Sequence, residues 1–178
     1  PALGARFRQV TGHTLNEVYG MTEASGLIAM HTPGDDGGEG SVGWALPYTQ
    51  VVVCKPGADG RFGAACAPHE IGVITVRGPH VSPGYRDPVH DAGVIDEDGV
   101  LNSGDLGYTD DEGRLYIAGR AKDLIIRSGH NIDPLMIENA LATHPAVALA
   151  AAVGMPDAYA GELPVCYVAL KPGASVTE

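Results

Sequence analysis

The sequence has no long hydrophobic run, and this absence argues against a protein that crosses a membrane with helices. No stretch approaches the roughly 18 to 20 consecutive apolar residues that cross a bilayer, and the N-terminus shows no basic-then-apolar signal pattern. We therefore expect no transmembrane segment and, by default, a cytoplasmic location. With 178 residues and 44% hydrophobic content, the chain is still able to bury a substantial core.

Basic residues and cysteines are also few. Only 11 Lys and Arg stand against 22 Asp and Glu, and the net charge of -11 argues against a nucleic-acid partner, which needs a clustered basic face. Cys54, Cys66 and Cys166 are widely spaced, which predicts reduced thiols rather than a disulfide framework or a zinc site. The histidines form no His-x-x-x-His pattern, so we expect any metal to arrive with a phosphate ligand.

Glycine, proline and β-prone runs predict the organisation of the first two thirds of the chain. Residues 3–10 indicate the end of a helix, and residues 14–19 indicate a buried strand that leads into a turn at Gly20. Short β-prone runs between residues 31 and 117 predict an all-β module, a small distorted barrel. These runs cover residues 50–54, 72–77, 100–102 and 115–117, with turns at Asp98-Gly99 and Glu112-Gly113.

The pattern changes after Lys122. Residues 134–141 have apolar positions at helical spacing, with Asp133 as N-cap. Strands are predicted over residues 124–126, 147–153 and 165–170, and the Ser-x-x-Glu form of residues 175–178 predicts the start of another helix. A sheet with one helix and a second just beginning indicates an incomplete α/β domain. We therefore expect a piece of a longer protein, as the missing initial methionine also suggests.

Two groups of polar residues carry possible chemistry. Asp105 follows a β-prone run and lies between Gly104 and Gly107, where its carboxylate could accept from the vicinal hydroxyls of a ribose; the alternative is a plain turn between strands. Arg120 follows Gly119 at the end of another run, and its fixed guanidinium donors suit a sugar or phosphate oxygen. Alone, it would be an ordinary surface arginine.

The second group is Tyr19-Gly20-Met21-Thr22-Glu23. Thr22 offers a hydroxyl to a phosphate, and Glu23 offers a carboxylate to Mg²⁺, which prefers oxygen ligands shared among protein, phosphates and water. Tyr19 could stack on a base or could simply pack at a strand end. The occurrence of all these pieces in one order favours nucleotide chemistry.

These residues resemble the adenylate-forming enzymes, the superfamily of acyl-CoA synthetases, peptide-synthetase adenylation domains and luciferases. The segment from Tyr19 to Glu23 resembles the Y-G-x-T-E motif. That resemblance implies a nucleotide-binding loop of Tyr19, Gly20, Met21 and Thr22, with the tyrosine against adenine, the threonine on a phosphate and Glu23 on Mg²⁺. Ser103-Gly104-Asp105 resembles the T-G-D motif, which implies that Asp105 binds the ribose hydroxyls.

Further segments extend the resemblance. Gly119 to Asp123 resembles G-R-x-K/D-D, which implies a ribose or phosphate contact for Arg120 and makes Lys122 the catalytic hinge. Ser128 to Ile132 resembles the S-G-G-x-N-I loop, and this assigns Gly129 to the cofactor-binding residues that line the pantetheine tunnel. The small residues after Glu23 are expected to line the substrate pocket, namely Ala24, Ser25 and Gly26.

The resemblance implies a mixed α+β fold in parts. We expect residues 1–30 to be the end of an α/β subdomain of a large N-terminal domain and residues 31–118 to be a distorted antiparallel β-barrel. Residues 119–122 would be the hinge, and residues 123–178 a truncated small α/β C-terminal domain. The family's phosphate loop and its C-terminal catalytic lysine have no counterpart in this sequence, so we expect the isolated chain to be inactive.

The implied reaction is the ATP-dependent ligation of a carboxylic acid, expected to be a fatty acid, to CoA through an acyl-adenylate, with release of AMP and with Mg²⁺ as metal. The stretch from Lys122 to Ile132 resembles acyl-CoA synthetases more than peptide-synthetase adenylation domains, which favours CoA. One alternative is a carrier-protein-loading acyl-AMP ligase or adenylation domain. Another is a non-catalytic binding module. The sequence leaves the acid and the oligomeric state open.

Overall fold

A computed structural model describes residues 2–32, 34–35, 38, 40–56 and 62–176. The chain divides into two compact units, residues 1–118 and residues 119–178. The helices of the described part are α1 (Ala2–Thr11) and α2 (Pro134–Ala142), with 3-10 helices at Thr22–Ala24, Pro88–His90 and Ala121–Asp123. The strands are β1 (Val18–Tyr19), β2 (Ala29–Met30), β3 (Trp44–Ala45), β4 (Gln50–Pro56), β5 (Phe62–Ala65), β6 (Gly72–Arg77), β7 (Leu101–Thr109), β8 (Leu115–Arg120), β9 (Ile125–Arg127), β10 (His130–Ile132), β11 (Val147–Asp157) and β12 (Gly161–Leu170).

The first unit is built from two sheets that share one core. The smaller sheet has the order β1-β2-β3, and the larger has the order β5-β4-β6-β7-β8. Strands from both sheets contribute to a single hydrophobic cluster, so the burial of apolar side chains holds the two sheets together. The cluster consists of Tyr19, Ala24, Ile28, Ala29, Val42, Val53, Ile74, Val76, Leu101 and Leu115.

The mixed α+β class is confirmed, but the barrel is not. In the described residues the larger sheet is open, with β5 and β8 as its edges. A barrel would need a hydrogen-bonded ladder between those two edges. Among the described residues, β8 pairs on its other side with the segment before β3, through a bridge from Tyr116 to Ser41 and backbone hydrogen bonds of Leu115 with Val42 and Gly43, and not with β5.

The strand expected over residues 14–19 is shorter than predicted. Only Val18–Tyr19 pairs, in register with Met30 and Ala29, and residues 14–18 are exposed. Tyr19 is the one side chain of this segment that reaches the core. The apolar residues before it suggested a longer buried strand, but a strand needs a partner as well as apolar side chains.

A second correction concerns Asp105, which lies inside β7 rather than in a turn after a strand. Burial alternates along β7, with Leu101, Ser103, Asp105 and Gly107 on the inner side. Two of these inward positions are polar. The period-two hydrophobic signal that marks a strand is therefore weak in this sequence, and the strand was predicted only as far as residue 102.

The second unit is a four-stranded antiparallel sheet of order β10-β9-β12-β11 with α2 packed against β11. The helix predicted over residues 134–141 is confirmed. The Asp133 carboxylate accepts from the backbone N–H of Leu135 at 2.9 Å, and Pro134 opens the helix, where its missing N–H is not needed. The helix start predicted at residues 175–178 lies partly outside the described residues.

The β9–β10 hairpin turns at Ser128 and Gly129. Both have positive φ angles, 49° and 80°, as a type I′ turn requires.

In the part of the chain that the structure describes, no helix is long and apolar enough to cross a membrane. Cys54, Cys66 and Cys166 are free thiols, as the sequence predicts.

Candidate nucleotide and metal site

Two residues singled out in separate motifs contact each other directly. The Tyr19 hydroxyl donates to Asp105 Oδ2 at 2.6 Å, and both residues are only 8% exposed. A carboxylate buried to this extent needs hydrogen-bond donors. The bond fixes the position of the Tyr19 ring and the orientation of the Asp105 carboxylate together.

Asp105 is placed by an irregularity between β6 and β7. The register shifts between Val73 and Thr75, so Ile74 faces the extra residues around Gly104, which has φ 73°. The Ser103 hydroxyl donates to the Ile74 carbonyl at 2.8 Å and accepts from the Asp105 backbone N–H at 3.1 Å. This is a structural reason for a hydroxyl residue two positions before Asp105.

Gly20 lies where no side chain fits. An added Cβ would be 1.7 Å from the Gly26 carbonyl oxygen. The loop folds back through a hydrogen bond from the Ile28 N–H to the Tyr19 carbonyl at 2.8 Å and one from the Gly26 N–H to the Met21 carbonyl at 3.0 Å. The close backbone approach explains a glycine directly after Tyr19.

Thr22 and Glu23 line one cavity of about 160 Å³. They begin a 3-10 helix; Thr22 is exposed and Glu23 half-buried. The remaining lining residues are Ser82, Gly84, Tyr85 and Ile95. The cavity therefore combines the Thr22 hydroxyl and the Glu23 carboxylate with residues 82–85, a loop that was not predicted to belong to the site.

Tyr85 is the functional candidate that sequence reasoning missed. Its hydroxyl donates to Glu23 Oε1. This hydrogen bond is the largest cause of the pKa shift of each group. It lowers the pKa of the Glu23 carboxyl and raises the pKa of the Tyr85 phenol. Glu23 is therefore held as a carboxylate. The only local signal for Tyr85 is an aromatic residue after a Pro-Gly turn, which does not point to Glu23.

The residues expected to line the substrate pocket differ in exposure. Ala24 is fully buried in the core, whereas Ser25 and Gly26 are exposed. The Ser25 hydroxyl donates to the His80 carbonyl at 2.8 Å. Met21 is half-buried and packs against the core cluster. Of the three pocket residues predicted, Ser25 and Gly26 are thus the ones that a ligand can reach.

The remaining candidates belong to the second unit. Arg120 ends β8 and Lys122 lies in the 3-10 helix that follows; both are exposed and line a cleft of about 580 Å³. Two acidic residues of this cleft have structural contacts. Glu138 accepts from the Ala152 N–H at 3.0 Å, and Glu162 from the Ile126 N–H at 2.7 Å. Gly129 is exposed in the hairpin turn.

The donor set of the small cavity fits a hard cation held jointly with a ligand. Within the described ranges, no group of three or more His, Cys, Asp or Glu side chains is arranged to hold a metal. Mg²⁺ is usually bound by one or two carboxylates plus substrate phosphates and water. The ionised Glu23 beside the Thr22 hydroxyl matches that requirement.

Comparison with known proteins decides the family. A model of the AMP-binding enzyme family matches residues 1–86, and one of the AMP-binding enzyme C-terminal domain matches residues 136–178. A marinolic acid–CoA ligase from Pseudoalteromonas sp. (strain SANK 73390) is 47% identical over 171 residues, which cover 96% of this chain and 26% of the ligase. The chain belongs to the adenylate-forming enzymes.

Other members of the adenylate-forming family are also similar to this chain. A long-chain-fatty-acid–CoA ligase from Bacillus subtilis (strain 168) is 39% identical over 169 residues, 95% of this chain and 30% of that protein. The crystal structure of ATP-bound MatB from Rhodopseudomonas palustris superposes with a TM-score of 0.90 at 34% identity, covering 99% of this chain and 34% of MatB. The chain thus spans between 26% and 34% of the length of these relatives.

The resemblance of the motifs to the adenylate-forming enzymes is confirmed. The roles of the individual residues and the boundaries of the expected parts stay predictions.

Proposed function

We propose that the protein carrying this chain is an ATP-dependent, AMP-forming carboxylic acid–CoA ligase. The observation that carries the proposal is the buried 2.6 Å hydrogen bond between Tyr19 and Asp105, which joins the residues expected at adenine and at ribose. The named relatives are CoA ligases, which supports the same reaction. MatB was crystallised with ATP bound, which supports ATP as the nucleotide.

In the first step, the substrate carboxylate attacks the α-phosphate of ATP, forming acyl-adenylate and releasing pyrophosphate. Asp105 accepts from the ribose hydroxyls, the Tyr19 ring lies beside the base, and the Thr22 hydroxyl donates to a phosphate oxygen. Glu23 would hold Mg²⁺, which offsets the negative charge of the phosphates when bound. In the second step, a thiol attacks the activated carbonyl and AMP leaves. The chain's residues act by positioning and electrostatics rather than as nucleophiles.

Fatty acids are the substrate class and CoA is the thiol in this proposal. The named relatives activate marinolic acid and long-chain fatty acids, which supports a role in fatty acid metabolism. The acyl-CoA-synthetase character of the Lys122 to Ile132 stretch supports CoA. Arg120 and Gly129 are proposed to contribute to binding, and residues 119–122 to separate a larger domain from a smaller one. A cytoplasmic location stays a prediction.

A thiol test separates this function from carrier-protein loading. The full-length protein is given ATP, Mg²⁺ and a mixed pool of fatty acids, and AMP release is measured with CoA or with a carrier protein bearing phosphopantetheine. We expect acid-dependent pyrophosphate release and AMP release stimulated by CoA. Stimulation by the carrier protein alone would transfer the proposal to an acyl-AMP ligase. No pyrophosphate with any acid would favour a non-catalytic binding module.

The proposed hinge gives a prediction about Lys122. Proline fixes φ, so Lys122→Pro is expected to slow thioester formation by about tenfold or more, because a conformational step between the half-reactions depends on a few pivot residues. Adenylation should change far less. Lys122→Ala is the matched control, since it removes the side chain and keeps the backbone freedom. Single-turnover assays of each half-reaction measure both rates, and equal losses in the two would contradict the hinge.

A further inference from the structure

We propose that Tyr85 is a positioning residue that presents the Glu23 carboxylate to the metal–nucleotide complex. The inference rests on the proposed function, because it takes Glu23 as the metal-holding residue. Tyr85 belongs to none of the motifs that carry the family resemblance. Its role is drawn from the contacts that surround it.

Hydrogen bonds tie the Tyr85 loop to the turn that carries Glu23 at three points. The Tyr85 hydroxyl donates to Glu23 Oε1, and the Ser82 backbone N–H donates to the Glu23 carbonyl at 2.7 Å. The Ser25 hydroxyl donates to the His80 carbonyl at 2.8 Å. Both the backbone and the side chain of Glu23 are therefore held by the same loop. Tyr85 and Glu23 also line the same cavity as Thr22.

Tyr85 is itself held by two further contacts. Its backbone N–H donates to Asp91 Oδ1 at 2.6 Å, and the His90 ring lies edge-on to the Tyr85 ring with centroids 6.3 Å apart. Gly84 has φ 146°, and an added Cβ there would lie 2.9 Å from Asp91 Oδ2. The local backbone therefore brings the Asp91 carboxylate close to the residue that precedes Tyr85.

This arrangement orders the Glu23 side chain before any ligand arrives. A free glutamate has several rotamers, and their loss opposes metal binding when it occurs at that step. The bond from Tyr85 selects one arrangement in the folded protein. A phenol donates this hydrogen bond without adding a charge that would compete with the metal. The expected contribution of Tyr85 is therefore to metal affinity in the presence of nucleotide, not to nucleotide affinity alone.

Tyr85→Phe tests the proposal because it keeps the ring and removes the donor. We would titrate Mn²⁺, as a spectroscopic substitute for Mg²⁺, into the full-length protein with ATP held below the protein concentration, so that the ATP is protein-bound, and follow free Mn²⁺ by electron paramagnetic resonance against a baseline of ATP alone. The Mn²⁺ dissociation constant is expected to rise about tenfold, the scale of one hydrogen bond to a charged group. ATP affinity without metal, measured by calorimetry, should stay the same.

Tyr116→Phe is the matched control. It removes another hydroxyl that donates to a carboxylate, Asp110 Oδ2 at 3.2 Å, away from the cavity lining. Mn²⁺ affinity should equal that of the unmodified protein. If Tyr85→Phe did not fold, Asp91→Ala would replace it, since this change releases the Tyr85 backbone and should raise the Mn²⁺ dissociation constant by a smaller factor.

The outcomes separate the two proposals. If the unmodified protein binds Mn²⁺ with ATP and Glu23→Gln weakens that binding, the metal role of Glu23 stands. Unchanged Mn²⁺ affinity in Tyr85→Phe would then overturn the inference alone. If the unmodified protein shows no ATP-dependent Mn²⁺ binding, or if Glu23→Gln has no effect, the failure lies in the proposed function.

Discussion

Replacing Gly20 with alanine is expected to destabilise the chain by roughly 3 kcal/mol or more, at the upper end of what overpacking costs. The added Cβ would overlap the Gly26 carbonyl oxygen, at 1.7 Å, and would approach the Leu27 Cα at 2.9 Å. Because both neighbours are backbone atoms, no side chain can rotate away to relieve the clash. The loop that joins Tyr19 to Glu23 must shift instead. Urea unfolding of the purified chain measures the loss.

Gly4→Ala is the control for Gly20→Ala. Gly4 lies in α1, and an added Cβ there meets no atom within 4 Å. Alanine is favoured over glycine inside a helix by roughly 0.5–1 kcal/mol, so this variant should be neutral or slightly more stable. Equal stability of the Gly20→Ala and Gly4→Ala variants would show that the loop tolerates a side chain, contrary to the packing argument.

Asp105→Asn is expected to weaken ATP binding by the full-length protein about ten- to one-hundredfold. The change keeps the size of the side chain but removes its charge and replaces one acceptor oxygen with a donor group. Hydrogen bonds to charged groups contribute about 1.5–3 kcal/mol, and about 1.4 kcal/mol corresponds to a tenfold change in affinity. Calorimetric titration with ATP measures the effect.

Asp111→Asn is the matched control for Asp105→Asn. Its carboxylate is on the turn after β7, with a side chain that is 81% exposed, and its contact with His69 is long at 3.4 Å. Surface ion pairs of this kind contribute little, so ATP affinity should not change. Unchanged ATP affinity in the Asp105→Asn variant as well would argue against a ribose contact by Asp105.

Several elements of the fold could be predicted from local sequence because their signals are local. Asp133 and Pro134 mark the start of α2, and the structure shows the N-cap hydrogen bond to Leu135. β6 occupies the residues predicted for it. By contrast, β2 and β3 are two residues long each, too short for any periodicity to show.

The contacts of the candidate site were less accessible to sequence reasoning. Tyr19 and Asp105 were each selected for a separate reason, and only the fold shows that they are hydrogen-bonded across 86 positions of sequence. Tyr85 was not selected, because its partner Glu23 lies 62 positions away. Which strands of an antiparallel sheet become neighbours depends on long-range pairing, and that information is not contained in any short segment.

The barrel prediction is not confirmed, for a related reason. Short strands separated by turns are common to barrels and to open sheets. The difference lies in whether the first and last strands pair, and β5 and β8 instead form the two edges of the larger sheet in the described residues. The turns predicted at Gly99 and Gly113 are present, and both glycines have positive φ angles, 74° and 87°. Turns of this kind do not determine whether a sheet closes into a barrel.

The most direct test of the proposed function is mass spectrometry of the products that the full-length protein forms. The protein would be incubated with ATP, Mg²⁺, CoA and a panel of fatty, aromatic and short carboxylic acids. The proposal predicts an acyl-CoA thioester of a fatty acid together with AMP, and its loss when ATP is omitted. Accumulation of acyl-adenylate without any CoA thioester, or the absence of both products, would contradict it.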